Sequence, residues 1–324
     1  MAEPLDTGAL SVVEPGLLTT VQDLGRYGAQ RLGIPVSGAM DQRSLILANL
    51  LVGNDPTAAG LEATLKGPEL LALQESCIAV TGAEASPRLN GRPFPMWAAT
   101  RVRPGDRLSI GQATRGLRCY LSVAGGIEVP QVLGSRSTYL PGRLGGMEGR
   151  ALQAGDLLPA GSQPRPLETI EGRTIRPELI PAFSREVTLR VILGPQDQLF
   201  TPEGIAMFLN EPYTVTPQAD RMGYRLSGPA IRHSSGHDII SDGTALGSVQ
   251  VAGDQQPIIL LADRQTTGGY PKIATVLAVD CPLAAQARPG AWIRFQSVAL
   301  SEAHRLLRES ALALANSIVK KPRS

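Results

Sequence analysis

The chain has 324 residues, of which 43% are hydrophobic and 19% are charged, so it can bury a sizeable core and is not intrinsically disordered. Lysine and arginine number 31 against 29 aspartate and glutamate residues, a near balance that excludes the strongly basic surface of a nucleic-acid-binding protein. No apolar run approaches the roughly 18 residues of a membrane span, and the N-terminus lacks the pattern of a signal peptide. We therefore expect no nucleic-acid or membrane partner and a cytoplasmic location.

Glycine and proline, at 35 and 26 residues, divide the chain into short segments. Between them lie runs rich in Val, Ile, Leu and Thr, and in several of these runs polar and apolar residues alternate. Such runs are typical of short β-strands, and the predicted strands are 11–13, 76–81, 101–110, 117–123, 187–193, 213–216, 247–251, 257–262, 273–279 and 291–296. The pattern predicts a mainly β protein with a few helices, built on barrels or sandwiches.

Three helices are predicted, over about 41–52, 201–209 and 301–319. Asp41 can cap the first, and Pro202 occupies the first position of the second. An apolar stripe marks the third helix, which precedes a basic tail.

The segment 161–181 is rich in Pro, Glu and Arg and has little apolar content, so it is interpreted as a linker. It separates an N-terminal half, 1–165, from a C-terminal half, 182–300. The helix and tail follow at 301–324.

Cysteine and histidine usage argues against a metal site. The cysteines Cys77, Cys119 and Cys281 lie in apolar contexts without a Cys-x-x-Cys pair, so we expect buried, reduced thiols. His233 and His237 are four residues apart, but the intervening Ser-Ser-Gly indicates a loop and no third ligand is nearby. No metal is therefore predicted.

The stretch 261–272, LADRQTTGGYPK, lies between two apolar runs. Two buried strands flanking a Gly-Gly turn would bring its polar side chains to one end of a sheet, and these are Asp263, Arg264, Gln265, Thr266, Thr267 and Lys272. Gly268 and Gly269 allow positive φ and a close approach of backbone to a ligand. Because an unpaired buried polar group costs about 1–3 kcal/mol, the stretch is either a binding site or a polar surface hairpin.

Further polar, Gly-rich clusters occur at 19–26, 35–41, 134–138 and 220–225. Each has a structural alternative, since Asp23 could stabilise a turn, Asp41 could cap a helix, and the arginines could pair with surface carboxylates. As a binding surface, the clusters offer cations for a carboxylate or phosphate, tyrosine rings, and groups that hydrogen-bond an amide. The residues concerned are Arg221, Arg225, Lys272, Tyr224, Tyr270, Gln250, Gln265 and Thr266.

Several known sites are absent from the sequence. No Gly-Lys pair occurs, so there is no Gly-x-x-x-x-Gly-Lys phosphate loop. No Gly-x-Ser-x-Gly elbow occurs either. No methionine precedes a lysine, so the chain has no biotin attachment site.

Taken together, the clusters resemble the second-subunit family of allophanate-hydrolase-like proteins. The resemblance covers about 12–295 and rests on LTTVQDLGR at 18–26, VSGAMD at 36–41, ANLLVGN at 48–54, SVAGGI at 122–127, LGSRST at 133–138, DRMGYRL at 220–226 and QTTGGYPK at 265–272. Family members include the C subunit of prokaryotic 5-oxoprolinase, the Kip-type antagonist of a sporulation-kinase inhibitor, and the carboxyltransferase part of urea carboxylase.

The resemblance implies two cyclophilin-like β-barrel halves and an ATP-dependent conversion of 5-oxo-L-proline to L-glutamate. It implies two partners, the B subunit of 5-oxoprolinase, which is similar to the Kip-type inhibitor, and the A subunit, with ATP acting at the level of the complex. Two alternatives stay open. One is the carboxyltransferase component of a biotin-dependent, urea-type carboxylase, and the other is a non-catalytic regulatory partner of a Kip-type inhibitor.

With the resemblance, the polar clusters give a set of candidate site residues. The candidates for catalysis, by charge stabilisation or as a base, are Lys272, Asp23, Asp263 and Arg221. The candidates for binding a lactam or amide substrate are Arg225, Tyr224, Gln250, Gln265, Thr266, Thr267, Gly268, Gly269, Tyr270, Ser37 and Arg136.

Overall fold

The computed structural model describes residues 8–319. In chain order the strands are β1 (Gly8–Glu14), β2 (Leu18–Gln22), β3 (Gly60–Thr64), β4 (Glu69–Ala72), β5 (Ser76–Glu84), β6 (Arg88–Leu89), β7 (Arg92–Pro93), β8 (Ala99–Val102), β9 (Arg107–Ser109), β10 (Arg115–Val123), β11 (Leu157–Pro159), β12 (Thr174–Ile175), β13 (Glu186–Leu193), β14 (Tyr213–Ala219), β15 (Gly223–Ser227), β16 (Asp242–Gly243), β17 (Ser248–Val251), β18 (Pro257–Leu260), β19 (Thr267–Gly268), β20 (Lys272–Val276), β21 (Trp292–Ser297) and β22 (Ile318–Val319). The helices are α1 (Gln42–Leu51), α2 (Leu167–Ile170), α3 (Pro202–Asn210), α4 (Cys281–Gln286) and α5 (Leu300–Ala315). The prediction of a mainly β protein with few helices is confirmed.

The chain divides into two compact units. The first unit comprises the described residues up to Arg26, then Asp41–Phe183, then those from Leu314 onward, and the second comprises Tyr27–Met40 and Ser184–Ala313. The sequence-based division, at 165, 182 and 301, is continuous along the chain, whereas each unit draws on separate segments. The predicted basic tail at 320–323 lies outside the described residues.

The first unit contains a six-stranded sheet in the order β11-β1-β4-β9-β6-β7 and a five-stranded sheet in the order β2-β3-β10-β5-β8. A barrel is predicted for each half, but the two large sheets of the first unit are open, and the closed barrel lies in the second unit. The difference arises because alternation in a sequence specifies which face of a strand is buried and not which strand it pairs with. Helix α1 packs against β5 and β10.

Capping residues predicted the helix starts correctly. Oδ1 of Asp41 accepts a hydrogen bond from the backbone N of Ser44 at 2.9 Å, which satisfies a donor at the start of α1. Oγ1 of Thr201 accepts one from the backbone N of Gly204 at 3.0 Å at the start of α3, with Pro202 in the first helical position. Helix α5 ends at Ala315, earlier than predicted.

The linker interpretation of segment 161–181 is wrong. Leu167, Ile170 and Ile175 are buried in an apolar cluster of the first unit that includes Leu47 and Leu51. Strand β12 from this segment pairs with β22. Three apolar residues suffice to fix the segment because its short helix and strand turn them to the same side.

The second unit is a closed barrel in the order β13-β20-β17-β18-β15-β14-β21, completed by parallel pairing of β13 with β21. Inward-facing residues such as Val249, Ile259 and Ile273 are fully buried. Strands β18 and β20 both pair with β17, so the polar stretch 261–272 crosses the end of β17 and is not the turn of a hairpin. Among residues 8–319, no helix has the length and apolar character needed to cross a membrane.

Candidate functional site

The second unit contains a cleft of about 190 Å³, hereafter the barrel cleft. Its walls come from β14, β15, β17 and β18 and from the polar segments that follow β14 and β18. The lining residues are Gln218, Asp220, Met222, Gly223, Arg225, Gln250, Ile258, Leu260, Gln265 and Tyr270. The structure thus brings four predicted substrate-binding residues together, Arg225, Gln250, Gln265 and Tyr270.

Arg225 provides positive charge in the barrel cleft. On β15 the side chains of Tyr224 and Leu226 are buried in the barrel, so the intervening Arg225 faces outward and is exposed. Within residues 8–319, its guanidinium makes neither an ion pair nor a hydrogen bond. The nearby Asp220 accepts hydrogen bonds from the backbone N atoms of Met222 and Gly223 at 2.8 and 3.1 Å, so it is committed to a turn. Arg225 is therefore able to bind an anionic group.

Gln250 is 1% exposed and held in one orientation. Its Nε2 donates to the carbonyl oxygen of Tyr270 at 3.2 Å, while its Oε1 has no hydrogen-bond partner in the described part of the chain. A Cβ on Gly268 would lie 2.6 Å from this Nε2, so a larger residue would displace the Gln250 amide. Neither Gly268 nor Gly269 has a positive φ. Gly268 thus leaves room for the Gln250 amide, neither glycine forms a left-handed turn, and the predicted close approach of this backbone to a ligand stays a prediction.

Gln265 and Tyr270 are held by a second segment, 239–244, which the sequence did not indicate. The backbone N of Ile239 donates to the carbonyl oxygen of Gly269 at 2.9 Å, and the backbone N of Thr244 donates to that of Thr266 at 3.1 Å. Strand β16 in this segment pairs with β19, which contains Thr267 and Gly268. The hydroxyl of Thr244 also donates to the carbonyl oxygen of Gln265. The side chains of Gln265 and Tyr270 are left exposed.

Arg221 and Asp263 form a buried ion pair, with exposed fractions of 8% and 2%. Nε of Arg221 donates to Oδ2 of Asp263 at 2.8 Å, and Nη2 donates to Oδ1 at 3.1 Å and to the carbonyl oxygen of Gly38 at 2.7 Å. Ser37 lies beside this pair, with φ of 57° and a buried Oγ that has no partner among the described residues. These contacts hold Ser37 and Gly38 against the end of β18, and the catalytic roles of Arg221 and Asp263 stay predictions.

Lys272 is also buried, and its partner was not foreseen. Its Nζ donates to Oδ2 of Asp242 at 3.0 Å and to the carbonyl oxygen of Gly243 at 3.3 Å. The hydrogen bond from Lys272 is the largest cause that lowers the pKa of the Asp242 carboxyl. In the sequence, Asp242 is recognisable only as part of an Asp-Gly pair, which is typical of a turn. This pattern does not predict an ion pair with a lysine 30 residues later.

Asp23 and Arg136 lie together in the first unit. The Asp23 carboxylate accepts hydrogen bonds from the backbone N of Gly25 at 2.8 Å, the hydroxyl of Ser135 at 2.7 Å, the hydroxyl of Ser137, and the backbone N of Arg136 at 2.6 Å. The Arg136 guanidinium donates to Glu128 and to the carbonyl oxygen of Val129. Both residues are thus engaged in a local network, and their predicted roles are untested.

The remaining candidate, Tyr224, is fully buried, and its hydroxyl donates to the carbonyl oxygen of Ala285 at 3.3 Å. The three cysteines are buried and free, as predicted. Burial raises the pKa of the Cys77 thiol to about 11 and that of Cys281 to about 12, so neither is an activated nucleophile. Across residues 8–319, no group of three or more His, Cys, Asp or Glu side chains could hold a metal ion.

Comparison with known proteins shows the family. The family model for the carboxyltransferase domain, subdomain A and B, matches residues 32–297. The chain belongs to this family. Two relatives, the C subunits of 5-oxoprolinase from Escherichia coli and Haemophilus influenzae, are each 38% identical to it over 91% of this chain and 93% of their own length. The family resemblance inferred from the sequence motifs is confirmed.

A solved structure supports the same assignment. The crystal structure of the K. lactis urea amidolyase superposes with a TM-score of 0.90 at 34% identity and covers 96% of this chain. This chain spans only 20% of that protein, so the urea amidolyase contains a large amount of further polypeptide.

Proposed function

We propose that this chain is the C subunit of an ATP-dependent 5-oxoprolinase, which acts with the A and B subunits to convert 5-oxo-L-proline to L-glutamate. The observation that carries the proposal is the match to the C subunits of two 5-oxoprolinases along nearly their whole length. The match covers 93% of each of those C subunits, whereas this chain covers only 20% of the urea amidolyase.

The barrel cleft offers groups that complement each polar part of 5-oxoproline. The guanidinium of Arg225 suits the carboxylate, because Arg binds carboxylates through paired N–H donors. Oε1 of Gln250 is an acceptor for the lactam N–H, and the exposed Gln265 amide can donate to the lactam carbonyl. The volume of about 190 Å³ is below the roughly 300–1,000 Å³ of pockets for drug-sized ligands and suits a small substrate.

Lactam opening needs activation, because an unstrained amide is a poor electrophile. In the proposed reaction ATP transfers its γ-phosphoryl group to the lactam carbonyl oxygen and leaves as ADP, and addition of water then opens the ring and releases glutamate and inorganic phosphate. The small volume of the barrel cleft does not fit a nucleotide, and the sequence lacks a Gly-Lys phosphate loop. We therefore assign ATP binding to one of the partners and the orientation of the lactam to this chain.

A second candidate function is the carboxyltransferase component of a urea-type carboxylase. The TM-score of 0.90 with the urea amidolyase favours it. Urea also presents an amide nitrogen and carbonyl, which Gln250 and Gln265 would recognise equally well. This function requires a partner that carries biotin, because no methionine precedes a lysine in this chain.

The test is reconstitution of this chain with the A and B subunits. We expect ATP-dependent glutamate release from 5-oxoproline, and no release when this chain is omitted. A parallel reaction with urea, bicarbonate, ATP and a biotin-loaded carrier with its carboxylase tests the second candidate. If three folded subunits release no glutamate, the 5-oxoprolinase proposal fails, and turnover of urea instead would establish the alternative.

A further inference from the structure

Arg264 is a buried cation without a carboxylate partner. It is 7% exposed, and within residues 8–319 no Asp or Glu oxygen lies within 4.0 Å of its guanidinium. The adjacent carboxylate, Asp263, uses both oxygens to bind Arg221. Charged side chains are seldom buried in this way unless they are paired. The sequence motifs assigned no role to Arg264.

Other buried arginines in the described chain show how unusual this arrangement is. Arg221 is paired with Asp263, and Arg118 has its Nε 3.7 Å from the Glu62 carboxylate. Arg173 is also 7% exposed, but its Nη1 lies 3.4 Å from the Cβ position of Gly53, at the C-terminal end of α1. The partial negative charge at a helix C-terminus stabilises a cation there. Arg264 has only two backbone carbonyls in place of such compensation.

Those two carbonyls fix the orientation of the guanidinium. Nε donates to the carbonyl oxygen of Thr244 at 3.3 Å, and Nη1 donates to that of Leu261 at 3.2 Å. Nη2 makes no hydrogen bond with the described residues. It is nevertheless not one of the fully buried atoms that lack a partner, so part of its surface is accessible to solvent. Electrostatic interactions with Cys281 and, to a smaller extent, with Tyr27 partly oppose the effect of burial on the pKa of Arg264, and Tyr27 is 69% exposed. The donor is therefore oriented and reachable.

A bound anion would relieve the electrostatic cost of this burial. Loss of hydration is the largest effect on the guanidinium and lowers the pKa of Arg264. A guanidinium nevertheless stays charged at neutral pH, so a negative charge from outside the described chain would stabilise it. The planar fork of N–H donors matches the oxygens of carboxylate and phosphate groups.

We propose that Arg264 anchors an oxyanion-binding site for a carboxylate or phosphate group. The site is additional to the barrel cleft, which Arg264 does not line. The oxyanion could be the carboxylate of a small acid or a phosphoryl group delivered by a partner protein, and the two sources share the chemistry that the guanidinium recognises.

The test follows the side-chain N–H signals of arginine by NMR in the intact chain labelled with ¹⁵N-arginine. The Nε–H signal of Arg264 is identified by its absence in Arg264→Lys, and the protein is titrated with inorganic phosphate and, separately, with acetate, at constant ionic strength set by chloride. We expect a saturable shift of this signal with at least one of the two anions. Because Arg264→Gln lacks this signal, its anion binding is measured beside that of the wild type by isothermal titration calorimetry, and its dissociation constant should be at least about tenfold higher, since a hydrogen bond to a charged group is lost.

Two matched variants make the outcome specific. Arg225→Gln removes the cation of the barrel cleft and should leave the Arg264 shift unchanged, and Arg232→Gln removes an exposed arginine and should have no effect. Response to phosphate alone identifies a phosphoryl ligand, and response to acetate alone identifies a carboxylate. A wild-type signal that does not move with either anion, or binding of equal strength in a folded Arg264→Gln protein, overturns the proposal. No partner protein is needed, so failure here is distinguishable from failure of the 5-oxoprolinase assay.

Discussion

The Asp23 network of the first unit and the barrel cleft of the second are built from similar polar, Gly-rich motifs. The Asp23 carboxylate accepts four hydrogen bonds, all from residues of its own unit. In the barrel cleft, the Arg225 guanidinium and Oε1 of Gln250 have no partner within residues 8–319. A carboxylate whose hydrogen bonds are all made within the protein stabilises the fold. Donors and acceptors without a protein partner are available to a ligand. The comparison shows that unsatisfied capacity, and not polarity as such, distinguishes a candidate site.

The largest effect on stability is expected for the buried ion pair between Arg221 and Asp263. Replacing Asp263 with alanine leaves the buried Arg221 guanidinium without its carboxylate, which typically costs about 3–5 kcal/mol of unfolding free energy. Urea denaturation followed by circular dichroism measures the change. Asp254→Ala is the control, because Asp254 is an exposed carboxylate of the same unit that accepts one backbone hydrogen bond. Equal stability of the two variants would contradict a structural role for the ion pair.

The Asp23 network should be the next most sensitive. Asp23→Ala removes the acceptor of two hydroxyls and two backbone N–H groups, so we expect a loss of about 2–3 kcal/mol. Asp55→Ala serves as the control, since Asp55 accepts hydrogen bonds only from Thr57 at an exposed turn. If Asp23→Ala keeps its stability but abolishes turnover of the reconstituted enzyme, Asp23 acts in catalysis and the comparison between the two regions breaks.

Replacing a residue of the barrel cleft that has no partner should lower activity and leave stability nearly unchanged. Arg225→Gln is expected to lower kcat/KM for 5-oxoproline about 10- to 100-fold, because a charge-assisted hydrogen bond to the carboxylate is lost. The unfolding free energy should change by less than about 0.5 kcal/mol, since an exposed side chain without partners is removed. Arg232→Gln provides the control for removing a positive charge. Unchanged kcat/KM in Arg225→Gln would show that the carboxylate binds elsewhere.

The smallest expected effect concerns geometry alone. In Gly268→Ala the new Cβ would lie 2.6 Å from Nε2 of Gln250, so the Gln250 amide has to move away. We expect KM for 5-oxoproline to rise a few-fold, because a misplaced acceptor weakens substrate binding without removing any functional group. Gly269→Ala is a matched control, since its Cβ would meet nothing nearer than 3.6 Å. Equal KM values in the two variants would exclude Gln250 as a substrate contact.

Local chemistry made part of this structure predictable. Asp41 and Pro202 indicated helix starts because the preferences of the first positions of a helix depend on neighbours in the sequence. Strand positions followed from alternation. The family motifs contain Arg225, Gln265 and Tyr270, and Gln250 became a candidate because its side chain can hydrogen-bond an amide; these four residues lie together in the barrel cleft.

The missed features depend on contacts between distant segments. Strand β17 separates β18 from β20, and Asp242 pairs with a lysine 30 residues later, which no local pattern encodes. Segment 161–181 was misinterpreted because its composition concealed the few apolar residues that matter. No role could be predicted for Arg264 from the sequence. Its importance depends on the lack of a carboxylate near it among residues 8–319, which is visible only in the folded structure.

The pairing of β12 with β22 sets a condition on how the protein is made. Ile175 is opposite Ile318 in this ladder, so the partner of β12 is synthesised long after β12 itself. At a translation rate of about 5–20 residues per second, the edge of β12 stays uncovered for on the order of ten seconds in each newly made chain. During that interval the edge of β12 that later pairs with β22 is open to mispairing.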